Sequence, residues 1–221
     1  MKIYRWIITI AFVAAQAFLY PRILTSGGDV LVNSCFCAIS LCFLYAFAGL
    51  GKPLLVAGLA GTVVADYYLV VCGAQYKLEG MFAFLLVQAL YATYFHTKGF
   101  SKKWLWARLI LTALAVGTAF GVLGNKTDTL AIVSVCYYAN ILMNLLMAFC
   151  RLKKFFLLAI GFLFFILCDT VVGLQVASQG YLSIGQDTLL HQILFSDINL
   201  VWLFYLPSQV LIALAACFSK K

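Results

Sequence analysis

Two aspartates lie inside long apolar segments of the chain. Asp66 is in the stretch VVADYYLVV (63–71), and Asp169 is in ILCDTVVGL (166–174). A charged side chain at the centre of a bilayer costs at least about 2.5 kcal/mol, so carboxylates in such segments usually mark a reaction centre or an ion pathway. Placed together, a protonated and an ionised carboxyl group can act as general acid and general base.

The composition identifies the surroundings of these aspartates. Of 221 residues, 65% are hydrophobic and only 10% are charged, whereas a soluble domain has about 25% charged residues. This chain has too few polar residues to cover a water-soluble globule, so most of it must face lipid. Its apolar runs are long enough for membrane-spanning helices and lack the alternation of a membrane β-barrel.

The predicted fold is all-α, a polytopic bundle of eight transmembrane helices that forms a single domain over residues 1–221. Breaks at glycine, proline and charged residues are short, and none is long enough to be a linker between domains. An alternative for the first span is a signal peptide, because Lys2 and Arg5 precede it and AAQA resembles a cleavage site. The predicted spans are residues 3–20, 30–50, 53–73, 78–97, 104–123, 129–150, 155–177 and 198–218.

The basic residues predict the orientation, with the N- and C-termini in the cytoplasm. Lysine and arginine favour cytoplasmic loops, and this orientation places twelve of the fifteen basic residues inside. The net charge of +8 is therefore a topology signal, and no nucleic-acid partner is predicted. Short loops favour a bacterial cytoplasmic (inner) membrane. The twelve are Lys2, Arg5, Lys52, Lys98, Lys102, Lys103, Arg108, Arg151, Lys153, Lys154, Lys220 and Lys221.

Both aspartates are expected at one depth, which makes them candidates for a catalytic pair. Each follows the midpoint of an outward-running span by three residues, about 4–5 Å along the helix axis. Other polar residues in neighbouring spans are expected to line a shared pocket and bind substrate. For each of these the alternative is a hydrogen bond between helices. They are Gln88, Tyr91, Tyr138, Asn140, Asn144, Tyr205 and Gln209.

Other features of the sequence are less informative. The eight cysteines include no CxxC pair and are interpreted as small apolar side chains, so no disulfide framework or zinc site is predicted. No metal or cofactor is predicted, although the two carboxylates and the amides are of the type that holds a hard cation. The outer loop, residues 178–197, contains TLLHQILF, which fits a short interfacial helix, a lid or a plain loop. The two aspartates stand four spans apart, as a parallel 4+4 duplication of helices would place them.

Several stretches resemble the YhhN-like lysoplasmalogenase family of integral membrane proteins. AGTVVADYYLVV resembles the helix with the first aspartate, and GFLFFILCDTVVGL resembles the second. LVWLFYLPSQVLIAL resembles the last helix, and VQALYATYF resembles the helix that follows the first aspartate. The family usually has glycine where Ala65 stands, serine where Cys168 stands and histidine where Gln88 stands.

The resemblance implies hydrolysis of the vinyl-ether bond of lysoplasmalogens to a fatty aldehyde and a glycerophospho-alcohol. It implies that Asp66 and Asp169 are the catalytic pair, acting on a substrate that lies in the membrane, with no obligate protein partner. The main alternative is a proton-coupled transporter or channel that uses the same aspartates as a relay. A lipid-binding or scaffolding membrane protein is a third interpretation.

Overall fold

The computed structural model describes residues 2–180, 188–196 and 198–218. These residues form an all-α bundle without strands, and eight of the helices are long and apolar enough to cross a membrane. The predicted fold of eight transmembrane helices is therefore confirmed, and the protein is a multi-pass membrane protein. The helices are α1 (Lys2–Thr25), α2 (Gly28–Ala48), α3 (Pro53–Asp66), α4 (Lys77–Thr97), α5 (Lys102–Leu123), α6 (Thr129–Cys150), α7 (Leu152–Gly180), α8 (Leu189–Leu194) and α9 (Leu200–Phe218).

The first span is longer than predicted, because α1 continues through Pro21 to Thr25 and the break before α2 lies at Ser26 and Gly27. Proline removes one backbone hydrogen bond but leaves those of its neighbours, and helical backbone is strongly favoured in lipid because nothing else satisfies its polar groups. The seventh span was predicted to end near residue 177, whereas α7 extends from Leu152 to Gly180.

The outer loop contains a short helix, α8, as one of the three interpretations predicted. The Thr188 side chain accepts a hydrogen bond from the backbone N–H of His191 (3.3 Å) at the start of α8. Gln175 of α7 donates to the carbonyl oxygen of Leu194 at its end (2.7 Å). A lid function stays a prediction. Residues 181–187 and 197, with Lys220 and Lys221, lie outside the described residues.

The aspartate-bearing helices α3 and α7 lie among the most closely packed helices of the bundle. Helix α7 packs on α6 and α9, and α3 packs on α2, α4 and α9. Helix α5 lies at the edge and packs mainly on α6. Only Arg108 and Ala119 of α5 are buried, so most of this helix faces lipid.

Small residues bring α3 and α4 together. A Cβ atom added at Gly58 would overlap the ring of Tyr91, and one at Gly61 would lie 2.7 Å from Val87 Cγ2. Close approach through glycine is a common way for membrane helices to pack. The contact fixes α3 just before Asp66, after which the helix makes one π-helical turn over Tyr67–Val71. Such turns occur frequently at functional sites.

Basic residues cluster at the end of the bundle opposite α8. Arg151 donates to the carbonyl oxygens of Lys98 (2.8 Å) and Gly99 (3.0 Å) in the α4–α5 turn. Burial, together with the positive charges of Lys98 and Lys154, lowers the pKa of Lys52 to about 8. This basic end is the one predicted to face the cytoplasm, and its orientation stays a prediction.

Candidate active site

Asp66 lies at the end of α3 and is almost completely buried, with 3% of its surface exposed. The hydroxyl of Tyr205, on α9, donates a hydrogen bond to its Oδ2 atom (2.6 Å). The ring of Tyr205 in turn packs edge-on against Trp202, with ring centroids 5.2 Å apart. Helix α9 therefore fixes the position of the first carboxylate.

Asp169 lies in the middle of α7 and receives a similar hydrogen bond from a different helix. The hydroxyl of Tyr137, on α6, donates to its Oδ2 atom (2.6 Å). Tyr137 is buried, whereas Asp169 is partly exposed and the next residue, Thr170, is exposed. The residue Asp169 is therefore less deeply buried than Asp66.

Two phenylalanines join the two tyrosine–aspartate pairs. The ring of Phe84 lies 5.7 Å from that of Tyr137 and 6.3 Å from that of Tyr205. The ring of Phe165 lies 6.4 Å from Tyr137 and 5.4 Å from Tyr205. The structure thus brings both aspartates to one aromatic cluster, which we call the aspartate site.

The tyrosine partner of Asp169 was missed in the sequence, where the neighbouring Tyr138 was named instead. Tyr138 lies on the exposed side of α6, and its hydroxyl is 2.8 Å from that of Thr170. Consecutive residues of a helix point in directions about 100° apart, so only one of them can face the site. Residues seven apart on a helix share a face. Tyr137 lies seven residues before Asn144, which is buried, and this spacing is the signal that identifies Tyr137 as the tyrosine that faces inward.

Three of the amides predicted to line the pocket lie in a separate network around a buried arginine. Arg108 of α5 donates to Asn140 Oδ1 (2.8 Å) and to Asn144 Oδ1 (2.7 Å). Asn144 donates to Gln88 Oε1 on α4 (2.9 Å). This network, the arginine network, ties α5, α6 and α4 together. Both asparagine side-chain oxygens thus accept a hydrogen bond from the guanidinium.

Arg108 was counted with the basic residues of the inner face, and the structure corrects that assignment. Its side chain is buried, with 6% exposed, and it also donates to the backbone carbonyl of Asn140 (3.1 Å). No sequence pattern marked this residue, because a basic side chain near a helix end is usually solvated at the interface.

Tyr91 and Gln209 are fully buried but do not bond to either aspartate in the described residues. The ring of Tyr91 packs edge-on against Phe162 at 5.4 Å. Gln209 lies one turn beyond Tyr205 on α9, where its Nε2 atom donates weakly to Ser208 Oγ (3.4 Å). In the described residues, Gln209 Oε1 and Gln88 Nε2 are buried without a hydrogen-bond partner. Gln209 Oε1 can therefore still accept a hydrogen bond inside the bundle, and Gln88 Nε2 can still donate one.

The aspartate site has the groups for moving a proton in an apolar setting. Each carboxyl group has its Oδ2 atom bonded to a tyrosine hydroxyl, which fixes its orientation. Aromatic rings around the pair limit access of bulk water and can stabilise a developing positive charge.

Comparison with known proteins identifies a family. The sequence model of the YhhN family matches residues 30–216, a range that includes both aspartates, both tyrosines and the arginine network. No curated protein and no solved structure is significantly similar to the chain.

Proposed function

Because the chain belongs to the YhhN family, we propose that it is a membrane-embedded hydrolase that cleaves the vinyl-ether bond of lysoplasmalogens. The products are a fatty aldehyde and a glycerophospho-alcohol, and the setting is a bacterial cytoplasmic membrane. The observation that carries the proposal is the aspartate site, in which two intramembrane carboxyl groups share one aromatic cluster and each bonds to a tyrosine.

The first step protonates carbon. A carboxylic acid of the pair donates its proton to the β-carbon of the vinyl ether, and the double-bond electrons form the new C–H bond. The α-carbon and the ether oxygen then share the positive charge of an oxocarbenium ion. Glycosidases stabilise a related cation with two carboxylates, and the second, ionised carboxylate has that function here.

The second step adds water. The ionised carboxylate accepts a proton from a water molecule whose oxygen bonds to the α-carbon, giving a hemiacetal. The aspartate that took this proton then donates it to the ether oxygen while the other, now ionised, aspartate accepts the proton of the hemiacetal hydroxyl. The bond between the ether oxygen and the α-carbon breaks, which releases aldehyde and alcohol and restores both carboxyl groups. The two carboxyl groups share protons over the cycle, so acid and base are states of the pair rather than fixed residues.

The exposure of the two aspartates suits a lipid substrate. Asp169 is partly exposed beside the lipid-facing Thr170, whereas Asp66 is buried deeper. A lysolipid could therefore enter from the bilayer at the α6–α7 face, with its alkenyl chain remaining in an apolar environment.

The proposal is tested by assaying free aldehyde from purified protein in detergent with a lysoplasmalogen. The saturated alkyl-ether lysolipid of equal chain length is the matched control substrate and should release none. In D₂O the mechanism places one deuterium on the carbon next to the aldehyde carbonyl. Absence of aldehyde would overturn the proposal, and proton flux in liposomes without hydrolysis would favour the relay alternative.

Removing either tyrosine hydroxyl should slow the reaction without unfolding the protein. A hydrogen bond to a charged group contributes about 1.5–3 kcal/mol, so Tyr137→Phe and Tyr205→Phe should each lower kcat by at least about tenfold. Tyr4→Phe, at an exposed position of α1, is the control and should keep the wild-type rate. Wild-type kcat in both site variants would exclude a role of these hydroxyls in the reaction.

A further inference from the structure

A cavity of about 810 Å³ opens at the α8 end of the bundle. It lies between the end of α1, the last turns of α7, helix α8 and the start of α9. Its size falls within the range of about 300–1,000 Å³ that is typical of small-molecule sites. Polar groups on its wall include the hydroxyls of Thr25 and Ser26 and the amides of Gln175 and Asn199.

One aromatic side chain connects the lining of the cavity to the aspartate site. Trp202 lines the cavity, and its ring contacts Tyr205 at 5.2 Å. Tyr205 donates the hydrogen bond to Asp66. Trp202 and Tyr205 are three residues apart, so Trp202 in the cavity wall and Tyr205 are separated by about 4.5 Å along α9.

We propose that this cavity binds the polar head group of the lysophospholipid whose vinyl ether lies at Asp66 and Asp169. The assignment rests on the hydrolase function proposed above. A lysoplasmalogen joins an apolar chain to a polar head through glycerol, so its vinyl ether lies at the junction of the two. The aspartate site is likewise joined to this cavity, through Trp202 and Tyr205.

The lining also suits the polar atoms of a head group. The described lining residues include hydroxyl and amide side chains, and such groups can bond to phosphate oxygens. Phosphoethanolamine and phosphocholine both present a phosphate group of this kind.

Filling the cavity should weaken binding of substrates that have a head group. Ser26 is partly buried at the cavity wall, and Ser26→Phe should raise KM for a lysoplasmalogen by at least about tenfold with kcat preserved. An alkenylglycerol of the same chain length has no phosphate head and should keep its KM. Ser101→Phe, at an exposed position at the opposite end of the bundle, should change neither value. Equal effects on both substrates, or unchanged KM for the lysoplasmalogen, would overturn the assignment.

A binding measurement separates this proposal from the hydrolase function. Glycerophosphocholine, titrated into wild-type protein, should change tryptophan fluorescence saturably, and Trp202→Phe should remove most of that change. Saturable binding without any aldehyde release would refute the hydrolase and keep the cavity as a head-group site. Aldehyde release without a saturable, Trp202-dependent signal would keep the hydrolase and refute the cavity assignment.

Discussion

Asp66→Asn and Asp169→Asn are each expected to lower aldehyde release from lysoplasmalogen by at least about 100-fold, the usual contribution of one positioned acid or base. Asparagine has nearly the size of aspartate, and its side-chain oxygen can still accept from Tyr205 or Tyr137. The fold should therefore persist while the site loses a group that gives and takes protons. The measurement is free aldehyde against time with purified variants.

The two aspartates should also behave as one unit. If they share protons, the double variant should be no more than a few-fold slower than either single variant, because groups that act together are not additive. Asp29→Asn, at an exposed position in the first turn of α2, is the matched control and should keep full activity. Activity retained in either single variant, with the protein folded by gel filtration, would exclude the mechanism.

Arg108→Met is expected to destabilise the protein by about 2 kcal/mol. It removes the charge-assisted bonds to Asn140 and Asn144, each worth about 1.5–3 kcal/mol in water-soluble proteins. Two effects reduce the loss, since hydrogen bonds between membrane helices average about 0.6 kcal/mol and a buried cation is itself unfavourable. The measurement is reversible unfolding in mixed micelles.

A double-variant cycle identifies the source of that loss. Arg108→Met and Asn144→Leu should each destabilise, and combined they should destabilise by less than their sum, by about 1 kcal/mol, because they remove the same bond. Arg22→Met, at an exposed position of α1, should change stability little. An Arg108→Met protein as stable as wild type would show that the arginine network contributes nothing to the fold.

That the two aspartates meet at one cluster could be predicted because helix rise is constant. Counting residues from the middle of each span gives depth without knowledge of packing, and the structure places Asp66 and Asp169 at one aromatic cluster. Direction around a helix is harder to predict when every side is apolar. Tyr137 was missed for this reason, since the residues around it and around Tyr138 are equally hydrophobic. Substrate binding by Tyr138 stays a prediction.

The arginine network and the length of α1 could not be predicted from the sequence, because both depend on the surroundings of the helices in three dimensions. The sequence places Arg108 near a helix end, where basic residues usually reach the interface, and only the packing of α6 on α5 shows that it bonds to Asn140 and Asn144. Pro21 predicted a break, yet the helix continues through it. The π-helical turn after Asp66 has no sequence signal of its own.

The position of Arg108 also has a consequence for biogenesis. Helix α5 alone would place a guanidinium in the bilayer without acceptors, because its side-chain bonds are to α6. The two helices are consecutive and joined by a short turn, with a 3₁₀ segment over Gly124–Lys126. Leaving the translocon together as a helical hairpin would provide Arg108 with its acceptors before either helix meets lipid alone. The order of α5 and α6 in the chain thus favours membrane insertion during synthesis as well as the packing of the folded bundle.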